Sequence, residues 1–354
     1  MRRNLILVVV LLAAAIGAAI GHRWLLLAWN AWHYPVAAPA DRTQIALIGR
    51  RAYVAAGVEG IEVLDVDSHR RVTMQSPPAP ADRIDDLVVA DDWLFALDAT
   101  APGYLLVFSL ADPDHPAFTG NSEPVPVGPF SGVSAAAGLV AVSGGTSELT
   151  LRKYDAAGRL DARLITADFG RGQPDIALRP DGRLAAISTH SFGPNFSVTI
   201  AEIRRAPLGL QALGHVDLPE AGFTAGGFKP AHFPLVCSWR GDRLYVAHGG
   251  GLSVIDLADP RQPRLLSNDP RSRPAMDVAD TGIDLELVRA GEHPAILRYR
   301  LDRDGPPVLT AIHPLFSGNG PGAIAGDGRE TLITLRGKGW QFITSAEFST
   351  VQNP

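Results

Sequence analysis

The chain has 354 residues, 46% of them apolar and 19% charged, which excludes a disordered protein and supplies enough apolar surface for a large core. Its 36 glycines and 28 prolines argue against an all-helical bundle and suit many short strands joined by tight turns. A net charge of -5 speaks against a non-specific nucleic-acid binder, and the single cysteine, Cys237, excludes an internal disulfide framework or a cysteine-built zinc cluster.

Arg2 and Arg3 precede residues 5–21, an uncharged and mostly apolar run with the form of a targeting segment. As a helix it spans about 26 Å, within the range that crosses a hydrocarbon core of roughly 30 Å. Trp24, Trp29 and Trp32 follow it in the manner of an interfacial aromatic belt. Residues 1–32 therefore read as a transmembrane signal anchor, with a cleaved signal as the alternative. The arginines put the N-terminus in the cytoplasm. The rest of the chain then lies outside the bacterial cytoplasmic membrane, facing the periplasm or the cell exterior. Residues 33–41, rich in Ala and Pro, form a linker.

Beyond the linker the chain repeats itself. Residues 51–67 (RAYVAAGVEGIEVLDVD) match residues 243–260 (RLYVAHGGGLSVIDLADP), and 93–98 with 104–113 form a weaker copy. Each copy reads as a strand, a glycine-containing hairpin loop, a second strand and an Asp-Pro or Asp-Ser turn. The same register predicts second strands at 139–143, 184–188, 285–288 and 331–335, with third strands beginning near 149, 197, 295 and 340. Aligned at Ala52, Trp93, Leu139, Leu184, Leu244, Asp284 and Thr331, these make seven units of about 45 residues, the period of a propeller blade. The fold class is all-β: a seven-bladed β-propeller over residues 42–354, preceded by an N-terminal transmembrane helix. Its last outer strand comes from residues near 34–40 or is missing.

The pattern Tyr-Val-Ala-x-Gly, Gly-Leu-x-Val-Ile-Asp and Ala-Asp-Pro-x-x-Pro, clearest over residues 244–263, resembles the LVIVD-repeat family of bacterial propellers. The resemblance implies the fold and an extracytoplasmic interaction or surface protein, and it carries over no catalytic motif. No Gly-x-Ser-x-Gly elbow, His-Glu-x-x-His pair, phosphate-binding loop or dinucleotide fingerprint occurs in the chain.

The expected site lies on the face that holds the loops into each inner strand and those between second and third strands. Asp86, Asp175 and Asp277 hold equivalent positions at the start of inner strands in blades 2, 4 and 6. They could ring the channel mouth and hold a divalent cation, or simply accept turn amides. His190, His232 and His248 are expected on the same face, His190 from the loop 189–196 and His232 from the long linker 219–233 that also carries Phe223 and Phe228. Cys237 reads as a buried small hydrophobe on an inner strand. The functional expectation is a non-enzymatic, membrane-anchored scaffold for an envelope protein or other extracytoplasmic ligand, with no nucleic-acid partner and no resident cofactor. The alternative is a lactonase-like hydrolase or small-ligand receptor that uses the channel-mouth acids with a divalent cation.

Overall fold

The computed structural model describes residues 44–127, 131–144, 148–161, 165–168, 175–190, 196–219, 236–291, 293–302, 305–315, 321–335 and 339–351. Residues 1–43, His232, Phe223 and Phe228 lie outside them, so the anchor and linker fall outside the described chain. Among the described residues no helix is long and apolar enough to cross a membrane.

Seven antiparallel sheets follow one another along the chain. Blade 1 holds β1 (Ile45–Ile48), β2 (Arg51–Ala55), β3 (Ile61–Asp65) and β4 (Arg70–Gln75). Blade 2 holds β5 (Asp86–Ala90), β6 (Trp93–Asp98), β7 (Gly103–Ser109) and β8 (Ala117–Val125). Blade 3 holds β9 (Val133–Ala136), β10 (Leu139–Ser143), β11 (Glu148–Lys153) and β12 (Ile165–Asp168). Blade 4 holds β13 (Asp175–Leu178), β14 (Leu184–His190), β15 (Phe196–Arg205) and β16 (Leu208–Leu218). Blade 5 holds β17 (Val236–Arg240), β18 (Arg243–His248), β19 (Gly251–Asp256) and β20 (Arg264–Asp269). Blade 6 holds β21 (Ala275–Asp280), β22 (Asp284–Arg289), β23 (Ala295–Arg300) and β24 (Val308–Pro314). Blade 7 holds β25 (Pro321–Gly326), β26 (Glu330–Leu335) and β27 (Gly339–Thr344). The inner strands β1, β5, β9, β13, β17, β21 and β25 neighbour one another in that order, and β25 returns to β1, so the seven-bladed ring is closed.

The second strands explain why the sequence repeats. A blade packs on a neighbour at each face, so its second strand must be apolar on both sides rather than alternating with polar residues. In β2, Ala52 and Val54 pack toward blade 7 with Leu332, while Tyr53 and Ala55 pack toward blade 2 with Leu87 and Leu94. Every pair of adjacent blades shares one such cluster, and together these form the core. Full burial of each Leu, Ile, Val or Phe here contributes roughly 1.5–3 kcal/mol before entropy is counted.

The repeated polar residues are latches between blades. Arg51 pairs with Asp65 in its own blade and reaches Asp114 in the β7–β8 turn of blade 2, where the Tyr53 hydroxyl also donates to the Pro113 carbonyl at 3.0 Å. In the matching copy, Arg243 donates to the Asp302 and Gly305 carbonyls of blade 6, at 2.9 and 2.8 Å. The repeated glycines are equally specific. Gly60 and Gly251 have φ of +98° and +118°, and a Cβ at either would stand 2.0 or 2.2 Å from the last carbonyl of the outer strand, that of Gln75 or Asp269.

Blade 7 has only three strands among the described residues. The chain leaves β27 through a 3-10 turn at Ser345–Glu347, crosses to blade 6, and pairs β28 (Ser349–Thr350) with the outer edge of β24. Phe348 in this strap lies over the Arg298 guanidinium, 3.9 Å from ring centroid to charge centre, and Val351 donates to the Thr310 carbonyl at 2.9 Å.

Candidate functional site

The three aspartates are indeed equivalent in register. Asp86 stands opposite Leu97, Asp175 opposite Ser188 and Asp277 opposite Val288, each at the fifth residue of its second strand. Asp86 and Asp175 open their inner strands, whereas Asp277 is the third residue of β21, after an irregularity between Ala275 and Asp277.

Their hydrogen bonds show what the position does. Asp86 Oδ1 accepts the amide of Leu87 at 2.7 Å, and Oδ2 accepts the amide of Val133, on the next blade's inner strand, at 2.8 Å. Asp277 repeats the arrangement four blades on: Oδ1 accepts Val278 at 2.7 Å and Oδ2 accepts Ile324 of blade 7 at 2.8 Å. Each of these buried carboxylates therefore ties one inner strand to the next. Blades 3 and 7 carry Gly132 and Ala323 at this position, and there Ser143 and Thr334 cap the strand, their oxygens accepting Gly132 and Ala323 amides at 2.7 and 2.8 Å.

Asp175 is the most exposed of the three, and its Oδ1 accepts the Ile176 amide at 2.9 Å. Its carboxylate meets that of Asp86 across Gly132. A Cβ on Gly132 would lie 3.0 Å from Asp175 Oδ1 and 3.2 Å from Asp86 Oδ2, so a side chain there would press on both carboxylates. Cys237 is half-buried rather than fully buried, and packs beside the core shared by blades 4 and 5. Desolvation, reinforced by the charge of Asp175, pushes its thiol above the ordinary range, which disfavours the reactive thiolate.

Of the three histidines, His232 lies outside the described residues and the other two end the second strands of their blades. His190 is the last residue of β14 rather than a loop residue. His248, expected on the hairpin loop, instead ends β18 opposite Gly251 and is fully buried. Its Nδ1 accepts the Gly250 amide at 3.1 Å, which leaves Nε2–H to donate to Ser253 Oγ at 2.8 Å. Ser253 in turn donates to Asn268 Oδ1 at 2.9 Å, and the Asn268 amide donates to the Gly250 carbonyl at 3.4 Å. Burial lowers the His248 pKa to about 4, so the ring is neutral at physiological pH. Among the described residues no three acidic, histidine or cysteine side chains are placed to hold a metal ion.

Two carboxylates that sequence reasoning passed over sit beside Asp86. Asp85 and Asp98 are both buried. Asp85 accepts Arg83 Nε at 2.6 Å and the Ala99 amide at 2.9 Å, while Asp98 accepts the amides of Asp82 and Thr100 at 3.1 and 2.9 Å. Desolvation raises the Asp85 carboxyl above its usual range, opposed by the Ala99 amide and Arg83. The adjacent acids at 85 and 86 were the available signal.

Two cavities accompany this arrangement. One of about 310 Å³ lies in the channel among β1, β21 and β25, lined in part by Gln44, Asp277, Asp280 and Ile324. The other, about 480 Å³, opens on the opposite, turn-bearing face between blades 1 and 2, lined by Ile48, Arg50, Arg51, Tyr53, Asp91, Asp92 and Pro113 among others. Exposed apolar residues occur on both faces: Val58 (71% exposed) on the loop side, Ile283 (64%) and Ile48 on the turn side.

No protein-family model matches the chain, and no curated protein matches it. Solved structures do match its fold. A chain of the mitotic checkpoint complex is 9% identical with a TM-score of 0.63, covering 86% of this chain and 87% of that one. A candidate 6-phosphogluconolactonase from Bacteroides fragilis is 11% identical with a TM-score of 0.63, covering 88% and 93%. Sqt1 of Chaetomium thermophilum is 12% identical with a TM-score of 0.57, covering 88% and 96%. At such identities the likeness establishes the β-propeller fold and nothing finer.

Proposed function

We propose that the protein is a membrane-anchored, extracytoplasmic propeller that serves as a binding scaffold for an envelope protein, related to the LVIVD-repeat propellers through the motif at 244–263. The anchor rests on the apolar run at 5–21 and its tryptophan belt. The observation that carries the scaffold reading is the use made of Asp86 and Asp277. Both oxygens of each already accept backbone amides within and between blades, so these acids are spent on building the ring rather than held for a ligand. The wide rims that remain suit multi-point contact with a protein. That one similar fold belongs to a chain of the mitotic checkpoint complex agrees with such a role.

A second reading, a metal-dependent hydrolase of the lactonase type or a small-ligand receptor, draws on the convergence of Asp86 and Asp175 over Gly132, and on the fold shared with the Bacteroides fragilis protein. One experiment separates the two. Full-length protein in detergent is melted with EDTA, Ca²⁺ or Zn²⁺, because a ion that binds only the folded state raises its Tm. The scaffold reading expects equal melting in all three. A metal-dependent rise abolished by Asp175→Asn would replace it with the second.

A further inference from the structure

The cavity of about 480 Å³ on the turn-bearing face forms where the inner hairpin of blade 1 meets that of blade 2. The same two places recur in each such hairpin. The residue before the turn is Ile48 in blade 1, paired with Arg51, and Arg240 in blade 5, paired with Arg243. In blade 4 it is Arg179, whose amide donates to the Leu184 carbonyl. The turn itself is Asp91-Asp92 in blade 2, Gly241-Asp242 in blade 5 and Gly282-Ile283 in blade 6.

An arginine before the turn seals the boundary to the next blade. Arg240 donates to Asp280 Oδ1 at 3.2 Å and to the carbonyl of Gly282, the first turn residue of blade 6, at 3.1 Å. Arg179 lies 3.5 Å from Oδ1 of Asp242, the second turn residue of blade 5. From the other direction, Arg205 of blade 4 donates to the carbonyl of Ala137 in the turn of blade 3, at 2.7 Å.

Blade 1 has Ile48 in this place, and isoleucine has no donor to send across. Facing it, Asp91 holds the place of Gly282 and Asp92 that of Asp242, so the cavity is offered a carbonyl and a carboxylate of the kind that receive guanidinium groups elsewhere in the ring. Among the described residues the Asp92 carboxylate has no hydrogen-bond or ion-pair partner, and Asp91 uses only Oδ2, for the Tyr154 hydroxyl at 2.7 Å. The arginines that line the cavity do not neutralise these acids. Arg50 pairs with Asp67 at 2.6 Å, and Arg51 with Asp65 and Asp114. Ile48, Leu110 and Pro113 supply apolar wall, which suits the methylene stem of a long cationic side chain.

We infer that this cleft receives an arginine side chain of the protein that the propeller binds, an inference that rests on the scaffold reading and deepens it. The partner provides from outside the guanidinium that the chain provides for itself between blades 4 and 5 and between blades 5 and 6. Arginine suits the site better than lysine because its planar fork can serve a carbonyl and a carboxylate together.

The probe is the capped pentapeptide acetyl-Ala-Ala-Arg-Ala-Ala-amide, compared with a peptide that carries citrulline, uncharged and nearly the same shape, in place of arginine. Binding to the full-length protein in detergent is followed by broadening of the peptide's NMR signals. The arginine peptide is expected to bind saturably and roughly tenfold more tightly than the citrulline peptide. Asp92→Asn should weaken it about fivefold. Ile48→Arg, which lets the chain fill the cleft as Arg240 does in blade 5, should abolish binding, and Ile48→Leu should keep it. Equal binding of the two peptides, no binding of either, or arginine-peptide binding that Asp92→Asn and Ile48→Arg leave unchanged overturns the assignment. The scaffold reading fails by a separate sign, a metal-dependent rise in Tm abolished by Asp175→Asn, which the peptides do not enter.

Discussion

The boundary between blades 1 and 2 and the boundary between blades 6 and 7 use opposite means to the same end. At the first, Arg51 and Tyr53 reach over the surface to the β7–β8 turn, and apolar stacking beneath them does most of the holding. At the second, the charges lie inside. Arg298 donates to Glu286 Oε1 from Nε at 2.9 Å and from a terminal nitrogen at 2.6 Å, and Thr331 of blade 7 donates to Glu286 Oε2 at 2.7 Å. Glu286 is fully buried, and desolvation raises its carboxyl above the usual range against the pull of Thr331 and Arg298. Phe348 of the strap then lies over Arg298. A blade with four described strands is held by a thin polar latch, whereas the blade with three among the described residues is fastened by a buried charge network and a returning strap.

The contrast breaks most sharply at Arg298. Arg298→Ala strands Glu286 without its cation and is expected to cost about 3–5 kcal/mol in a denaturant titration, while replacing both residues with apolar ones of similar volume restores most of the loss. Acid loads the ring away from both boundaries, at His248 in blade 5. Its folded pKa of about 4 lies below its unfolded value of 6.5, so the unfolded chain binds the extra proton between them. The stabilisation is complete above pH 6.5 and lost as pH falls toward 4, on the order of 3 kcal/mol. His248→Phe should flatten the unfolding midpoint across that window; an unchanged slope would mean that another group is responsible. The smallest effect belongs to the surface latch. Tyr53→Phe removes one hydrogen bond and is expected to cost about 1 kcal/mol in the same titration. If it cost more than Arg298→Ala, the contrast between the two boundaries would be wrong.

Much of the fold was legible because a blade stacked on two neighbours forces an unusual pattern on its second strand. The run at 139–143 could be placed as β10, and the third strands expected near 149, 197, 295 and 340 are β11, β15, β23 and β27, because doubly buried strands are apolar throughout. The positions of Asp86, Asp175 and Asp277 were equally legible from the same register. What each carboxylate binds was not, since Val133 and Ile324 lie 47 residues further on and only the closed ring brings their amides near. His248 stands before three glycines and reads as loop, yet its pairing with Gly251 draws it into β18. Glu286 and Arg298 gave the least warning. Facing charges on adjacent strands suggest a solvated surface, and it is blade 7 that removes the solvent.

The strap also sets an order of events. Residues 345–351 follow all seven blades along the chain, so during synthesis blade 6 emerges with β24 uncovered and Arg298 without its aromatic lid. Domains fold largely from the N-terminal side as they are made. The ring therefore cannot be fastened until residues 345–351 clear the ribosome. Until that moment the growing propeller is an open stack of sheets, and it is during this interval, rather than in the finished molecule, that it most needs protection from wrong partners.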